Sequence, residues 1–395
     1  MGELASVAVA GVHTTEQGDL SERTQSDVWW EAVRGACEDA GLTAGDIDGL
    51  VGEGPQGVPG LRETMPAAGL AEQLGQPVRF HARSSVGAAS TASGLNLAAY
   101  AVSHGLAEVV VIASAVAGKS AGYASANRDV AVAHMSKLSG PYEYVYGTTR
   151  VSDYALLAMR HMYEYGTTSQ QLADIAVSQR LGATLHPASV HGHRGELSAA
   201  EVMSSRMVAD PLHLLDCCSI NQGGGAIIVT RASDVAAIGR HVPVVLLGYG
   251  EGHSHIDANA VKSMTTFPAA RSAADTAFDM AGLSRDEIDV AGVGDHFTIG
   301  VLIGLEDAGF CPKGEGGSFV EKGGTAIGGR LPTNTSGGFL SFSHAGQCGI
   351  FTLIEVVEQL RHEAGPRQVD DAGLGFISGV GGVQQAHSAL ILGRA

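Results

Sequence analysis

Apolar residues alternate with small ones over positions 5–11 (ASVAVAG), a period-two run that predicts a short strand. Over 26–40 they recur at the three- and four-residue spacing of a helix face, with Ser26 able to cap the start and Gly41 ending the helix. The segment that follows, Ala40-Gly41-Leu42-Thr43-Ala44-Gly45-Asp46-Ile47-Asp48, returns as Ala281-Gly282-Leu283-Ser284-Arg285-Asp286-Glu287-Ile288-Asp289. The second copy keeps the same order throughout, which marks an internal duplication. Small residues over 84–90 open an apolar helix that reaches about His104, and the continuous apolar run 109–113 has the character of a buried strand. In the second half a loop over 344–349 opens a helix at 350–360, and 373–378 is the matching strand. Each half reads as helix, strand, small-residue loop, helix, strand, which predicts an α/β class with parallel β-α-β packing around buried sheets.

Three segments follow from this pattern: an N-terminal half over 1–117, an insert over 118–240 and a C-terminal half over 241–395. In the insert Tyr142, Tyr144 and Tyr146 alternate, a polar helix is expected over 168–181, and histidines cluster at His186, His191 and His193. The insert ends at DCCSINQGGGAIIVT, from Asp216, a glycine turn feeding a strand that rejoins the N-terminal half. We expect it to lie as a loop domain over the active site. The spacing of His191 and His193 near His186 raises a metal site, but no run of cysteine or carboxylate ligands completes it, and a solvated polar loop is expected.

With 395 residues, 45% of them hydrophobic, 55 glycines and 12 prolines, the composition is that of a globular chain rich in tight turns. The net charge of −17 and the scattered lysines and arginines leave no basic stripe for nucleic acid or an anionic membrane. The first residues lack a cationic signal-peptide region, and no apolar run reaches the roughly 18–20 residues that span a bilayer, so a cytoplasmic location is expected. Cys37, Cys217, Cys218, Cys311 and Cys348 form no C-x-x-C pair, and their odd number argues against a disulfide framework.

In a chain with only 16% charged residues, ionisable groups set among small ones stand out. Gly294-Asp295-His296-Phe297 is one such place, and Ser343-His344-Ala345-Gly346-Gln347-Cys348-Gly349 is the other. Asp295 has two uses open to it, orienting an imidazole or capping the helix that follows. Cys348 lies four residues after His344; on a helix the two share a face, and a Cys–His pair would supply a thiolate, but a buried helix cysteine is the expected reading. Gly379, Gly381 and Gly382 either let backbone amides approach a ligand or form a plain strand turn.

Four motifs carry a family resemblance: Asp295-His296-Phe297-Thr298; Leu305-Glu306-Asp307-Ala308-Gly309-Phe310-Cys311-Pro312-Lys313-Gly314-Glu315-Gly316; Gly328-Gly329-Arg330-Leu331-Pro332-Thr333-Asn334-Thr335-Ser336-Gly337-Gly338; and Asp210-Pro211-Leu212-His213-Leu214-Leu215-Asp216-Cys217-Cys218. With two similar halves and a loop-domain insert, the chain resembles the thiolase superfamily, in the sterol-carrier-protein-x and lipid-transfer-protein branch that includes steroid side-chain aldolases. The resemblance implies a duplicated, five-layered α-β-α-β-α fold and a CoA thioester as substrate, with no further cofactor and no metal. It also implies a homodimer and a small OB-fold, zinc-ribbon protein as acyl-CoA-binding partner. The nucleophilic cysteine of a thiolase falls on Ser84 or Ser85, at the loop that also holds Gly87, and the second cysteine falls on Ser378, so both thiols are missing. His344 matches the histidine of the family's Gly-His-Pro segment, with Ala345 in place of proline. The Asn or His of the other loop falls on Gly294. Asp295 and His296 match the aldolase branch, whose tyrosines before the Asp and on the His loop have no counterpart here.

The resemblance leaves three functions open. One is retro-aldol cleavage of a β-hydroxyacyl-CoA with a lipid or steroid side chain, with His344 or His296 as base and the amides of 84–87 or the glycine loop as donors. A second is Claisen-type acyl transfer with Cys348 or Ser84 as nucleophile, and a third is a non-catalytic scaffold or acyl-CoA carrier.

Overall fold

The computed structural model describes residues 3–55, 65–118, 148–256 and 260–395. Tyr142, Tyr144 and Tyr146 lie outside the described residues.

Strand β1 (Val7–Thr14) runs three residues further than the alternation predicted. Helix α1 (Gln25–Ala40) is capped by Thr24 rather than Ser26, because Thr24 and Asp27 close a reciprocal capping box ahead of it. Gly41 (φ 73°) ends α1, and Thr43 and Asp46 cap a 3₁₀ turn that leads into β2 (Gly49–Gly52). The copy behaves alike: α8 (Pro268–Ala281) ends at Gly282 (φ 67°), Ser284 and Glu287 cap the turn, and β9 (Val290–Val293) follows. The duplicated sequence is therefore a duplicated joint, each half spending one αL glycine and one capping box to turn from an outer helix into the sheet.

Between the joints run α2 (Pro66–Leu74), β3 (Phe80–Ala82), α3 (Ser90–Ser103) and β4 (Val110–Val116). The insert contributes α4 (Arg150–Tyr165), α5 (Ser169–Thr184), α6 (Ala199–Ser204) and the hairpin β5 (Met207–Ala209) and β6 (Leu212–His213). Then come β7 (Gly223–Arg231), α7 (Ala232–Ile238) and β8 (Val244–His253). After β9 lie α9 (Thr298–Ala308), α10 (Gly316–Val320), α11 (Gly349–Arg361), β10 (Leu374–Gly381) and β11 (Ala386–Arg394). Among the described residues no helix is long and apolar enough to cross a membrane.

The strands order as β3-β2-β4-β7-β1-β8-β11-β10-β9, two wings that pair, among the described residues, where Ala8 and Val9 meet Val245 and Val244. The strands of the β-α-β units, β3-β2-β4 and β9-β10, pair parallel as expected, while β7, β1, β8 and β11 pair antiparallel and join the two units. Alternation along the strands sets the layers. Ala8, Val111 and Ile228 face α1, whereas Val9, Val110 and Ile227 face a central layer of α3 and α11. On the second wing Ile377, Leu390 and Leu392 join that central layer, while Phe376, Ala389 and Ile391 face α8 and α9. The result is the five-layered α-β-α-β-α order of a thiolase fold.

Strand β8 escapes a pattern reading because Gly248, Gly250 and Gly252 alternate along it. A Cβ at these positions would stand 2.1, 2.0 and 2.3 Å from the carbonyl oxygens of Ala277, Ala273 and Ala269, so α8 lies directly on a glycine stripe.

Candidate active site

The first functional loop leaves β9 and enters α9. Gly294 N–H donates to the Ser378 carbonyl (3.0 Å), and a Cβ on Gly294 would sit 3.0 Å from Val380 Cγ2, so any larger residue there requires Val380 to shift. Asp295 is fully buried, with Oδ2 accepting from Leu340 N–H (3.1 Å) and Oδ1 without a partner. Burial pushes its carboxyl up to about 7. It neither caps α9 nor faces water; it ties its loop to the π turn Gly338–Phe342. That turn passes so close that a Cβ on Gly338 would lie 2.2 Å from Oδ2.

The backbone of His296 is held by Cys218, whose N–H donates to its carbonyl (2.9 Å). Burial depresses the imidazole to about 3, with the neighbouring His344 acting the same way, and Nδ1 has no hydrogen-bond partner. His344 is held by its main chain, N–H to Asn221 Oδ1 (2.8 Å). The Asn221 amide donates to Ser343 Oγ (2.8 Å), which donates to Gln17 Oε1 (2.7 Å). Burial takes its imidazole down to about 4. The two rings meet edge to face at 5.2 Å, and Phe339 touches both, at 5.1 and 5.6 Å. Both are therefore neutral at pH 7, able to accept a proton or to donate a lone pair.

Cys348 closes the same corner. Gly346 (φ 56°) turns the loop, Gln347 N–H donates to Ser114 Oγ (2.8 Å), and Cys348 occupies the N-cap of α11. It comes beside His344 through this turn and not through a shared helix face. Burial raises the thiol well above 9, so it is a thiol and not a thiolate.

The remaining expected residues lie elsewhere around the central layer. Helix α3 opens at Ser90, whose Oγ accepts from Val86 N–H (2.9 Å), after a 3₁₀ turn at Gly87–Ala89. Ser84 and Ser85 precede that turn: Ser84 lines a cavity of about 30 Å³ with Ser114 and Gln347, and Ser85 is exposed, as is Gly87. The residue that reaches toward the imidazole loops is Ala88, which shares a void of about 10 Å³ with Gly294, Phe339, Gly349 and Ser378. Gly379 and Gly381 belong to β10, paired with Ser388 and Ala386 of β11. A Cβ there would strike Ala89 Cα at 2.8 Å and the Val86 carbonyl at 2.1 Å, so these glycines serve the approach of strand to helix start. Gly382 (φ 67°) makes the turn that follows. His186 packs on Phe342 (4.4 Å), while His193 is exposed.

Several positioning residues escaped the sequence reading. Asn334, at φ 54°, accepts from Val293 N–H and donates to Val293 C=O, both at 2.9 Å, and so acts as a side-chain rung at the end of β9. Gln17, Ser114 and Asn221 come from the other half and the insert's return, and only their polarity beside small residues marked them.

Residues 250–394 match the family model described as thiolase C-terminal domain-like. The chain is 36% identical over 389 residues to an acetyl-CoA acetyltransferase of Methanothermobacter thermautotrophicus, covering 97% of this chain and 99% of that protein. It is 32% identical over 367 residues to a steroid side-chain-cleaving aldolase of Thermomonospora curvata, covering 89% and 90%. Its fold superposes on a solved Ltp2-ChsH2(DUF35) aldolase with a TM-score of 0.85 at 30% identity, over 100% of this chain and 99% of that one.

Proposed function

The chain belongs to the thiolase superfamily, in its lipid-transfer and aldolase branch, and from that premise we propose that it cleaves a β-hydroxyacyl-CoA by a retro-aldol step, without an acyl-cysteine. The observation that carries this reading is the pair of neutral imidazoles, His296 and His344, meeting at 5.2 Å beside a protonated thiol. A neutral imidazole takes the proton of the β-hydroxyl as the Cα–Cβ bond breaks. The electron pair of that bond moves to the thioester as an enolate, Cβ becomes a carbonyl, and the imidazolium returns its proton to Cα. The products are a carbonyl compound and a shorter acyl-CoA, with no free CoA consumed. We assign His344 as the base.

The acyl chain is taken to be a steroid or other lipid side chain, and the partner a small OB-fold, zinc-ribbon protein completing the acyl-CoA site; the aldolase relative and the Ltp2-ChsH2(DUF35) neighbour support both. Claisen-type acyl transfer is the second reading, favoured by the acetyl-CoA acetyltransferase relative. It requires Cys348 or Ser84 as nucleophile; burial of the Cys348 thiol opposes the first, and Ser84 lines a separate small cavity with Ser114 and Gln347.

Mass spectrometry of products decides between them, with a β-hydroxyacyl-CoA and a β-ketoacyl-CoA supplied in parallel, with and without the partner and free CoA. Cleavage of the hydroxy substrate without CoA is expected. CoA-dependent cleavage of the keto substrate alone would replace the aldol reading with thiolysis, and no turnover of either substrate with the partner present would leave a scaffold.

A further inference from the structure

Three arginines are buried among the described residues, and two of them meet carboxylates. Arg361 Nη1 bonds Asp39 Oδ2 (3.0 Å), and Arg367 Nη2 bonds Glu355 (3.1 Å) and Glu358 (2.9 Å). Arg180, on α5 and 4% exposed, is the exception: its Nε donates to Ser341 Oγ (3.1 Å), and among the described residues no carboxylate pairs with its guanidinium. We propose that Arg180, together with His191 and Arg194 of the insert, forms a binding site for a phosphate-class oxyanion, set against the π turn and built from none of the residues of the imidazole corner.

A guanidinium cannot shed its proton, so a buried one needs an acceptor for its charge. Its planar fork presents two parallel N–H groups that match two oxygens of a phosphate. The surroundings add donors and positive charge. Ser341 is the common anchor, its hydroxyl accepting from Arg180 and its carbonyl from His191 N–H (3.1 Å) and Ser189 Oγ (2.9 Å). The loop that carries His191 lies so close on the end of α5 that a Cβ on Gly192 would stand 2.2 Å from the Ala183 carbonyl oxygen. Arg194 N–H donates to the His191 carbonyl (3.1 Å), which brings a second, exposed guanidinium to the same loop. His191 Nδ1 is buried without a partner. Burial takes that imidazole down to about 4, with Arg194, Arg180 and His193 acting the same way, so the ring is neutral at pH 7 and Nδ1 can donate in one tautomer. Glu201, the acid whose charge acts on Arg180, is engaged with Ser198 N–H (2.8 Å) and Oγ (2.6 Å) in the capping box of α6.

In a chain of net charge −17, two arginines that form no ion pair among the described residues mark a place kept for an anion from outside. A phosphate reaches it free from solution or as the nucleotide phosphate of a CoA thioester; the second source rests on the proposed function, and the first does not. Occupancy ties α5 and the 189–194 loop to Ser341, the neighbour of Leu340, whose N–H holds Asp295.

The full chain is exchanged into phosphate-free buffer and titrated by calorimetry with inorganic phosphate and, separately, with adenosine 3′,5′-bisphosphate. Saturable binding at one site per chain is expected. Arg180→Gln should weaken it at least about 10-fold, the worth of one charge-assisted bond. Arg194→Gln should weaken it less, and Arg231→Gln, at an exposed arginine ending β7, not at all. Should Arg180→Gln fail to fold by circular dichroism, Arg180→Lys keeps the charge but loses the fork and is expected to weaken binding likewise. In the wild type the His191 titration, followed by NMR, should move to higher pH when phosphate is bound. Equal affinity for the two ligands identifies a free oxyanion; tighter binding of the bisphosphate, still lost in Arg180→Gln, identifies the nucleotide phosphate. Heats that do not saturate, or affinities for both ligands that Arg180→Gln leaves unchanged, reduce the phosphate to an adventitious ion only and overturn the site. Neither readout depends on turnover: a chain that binds phosphate but cleaves no β-hydroxyacyl-CoA sinks the aldol reading alone, and one that cleaves it without binding phosphate sinks the site alone.

Discussion

Glu306 is the clearest place to test how the insert is pinned to the helix that carries the first functional loop. Its Oε1 accepts from Gly314 N–H (3.0 Å) and Gly316 N–H (2.8 Å), and its Oε2 faces His161 Nε2 (2.9 Å) and Lys313 Nζ (3.0 Å), all with no exposed surface on the carboxylate. Burial acts to raise its pKa, but His161 and Lys313 together more than offset that, and the carboxyl is held below its ordinary value. Glu306→Ala leaves two backbone N–H groups without an acceptor, at about 1–3 kcal/mol each, and opens a cavity, so a loss of about 4–6 kcal/mol is expected. Glu306→Gln is a different perturbation. The amide oxygen keeps both backbone bonds, and the His161 ring accepts from the new N–H by donating its own proton to Thr167. Lys313 still has Asp307 (2.7 Å) and the Thr265 carbonyl (2.6 Å). Only one ion pair is lost, and about 1–2 kcal/mol is expected. Urea unfolding followed by circular dichroism gives the two losses, and hydrogen exchange over Arg150–Tyr165 and Thr298–Ala308 shows where they fall. If Glu306→Gln costs as much as Glu306→Ala, charge and not acceptor geometry holds the insert, and the reasoning fails.

Gly379→Ala places a Cβ 2.8 Å from Ala89 Cα and is expected to cost about 1–3 kcal/mol by overpacking, read as a lower urea midpoint; an unchanged midpoint would show that strand and helix start separate freely. Asn334→Ala strands the N–H and C=O of Val293 and is expected to cost about 2–4 kcal/mol in the same assay, with Asn334→Gly no better although it relieves the positive φ. His387 is depressed from 6.5 to about 4 by burial, so the folded state favours the neutral ring. Its stabilising contribution is complete above pH 6.5 and is lost as pH falls toward 4, and between pH 7.5 and 4.5 the wild type should lose roughly 2–3 kcal/mol that His387→Gln retains. Parallel stability–pH curves for the two proteins would contradict this.

Much of the molecule was legible because its signals are local. The two joints at Gly41 and Gly282 are spelled out by an αL glycine followed by a capping box, and the helices α3 and α11 by apolar periodicity after a small-residue loop. Asp295, His296, His344 and Cys348 stood out as ionisable residues among small ones. The glycines were the hardest residues to read, because they answer to close approach between distant segments. Strand β8 carries glycines that answer to α8, and Gly379 and Gly381, open to two readings in the sequence, answer to the start of α3.

The sequence by itself determined the duplicated α/β plan, the acidic balance of charge and the residues of the two loops. Only the tertiary structure decided what those residues are. It buries the imidazoles so that both stay neutral, keeps Cys348 a thiol, and brings Gln17, Ser114 and Asn221 across the central layer to hold the His344 loop. Protonation and convergence depend on desolvation by residues hundreds of positions away, and no local period encodes that.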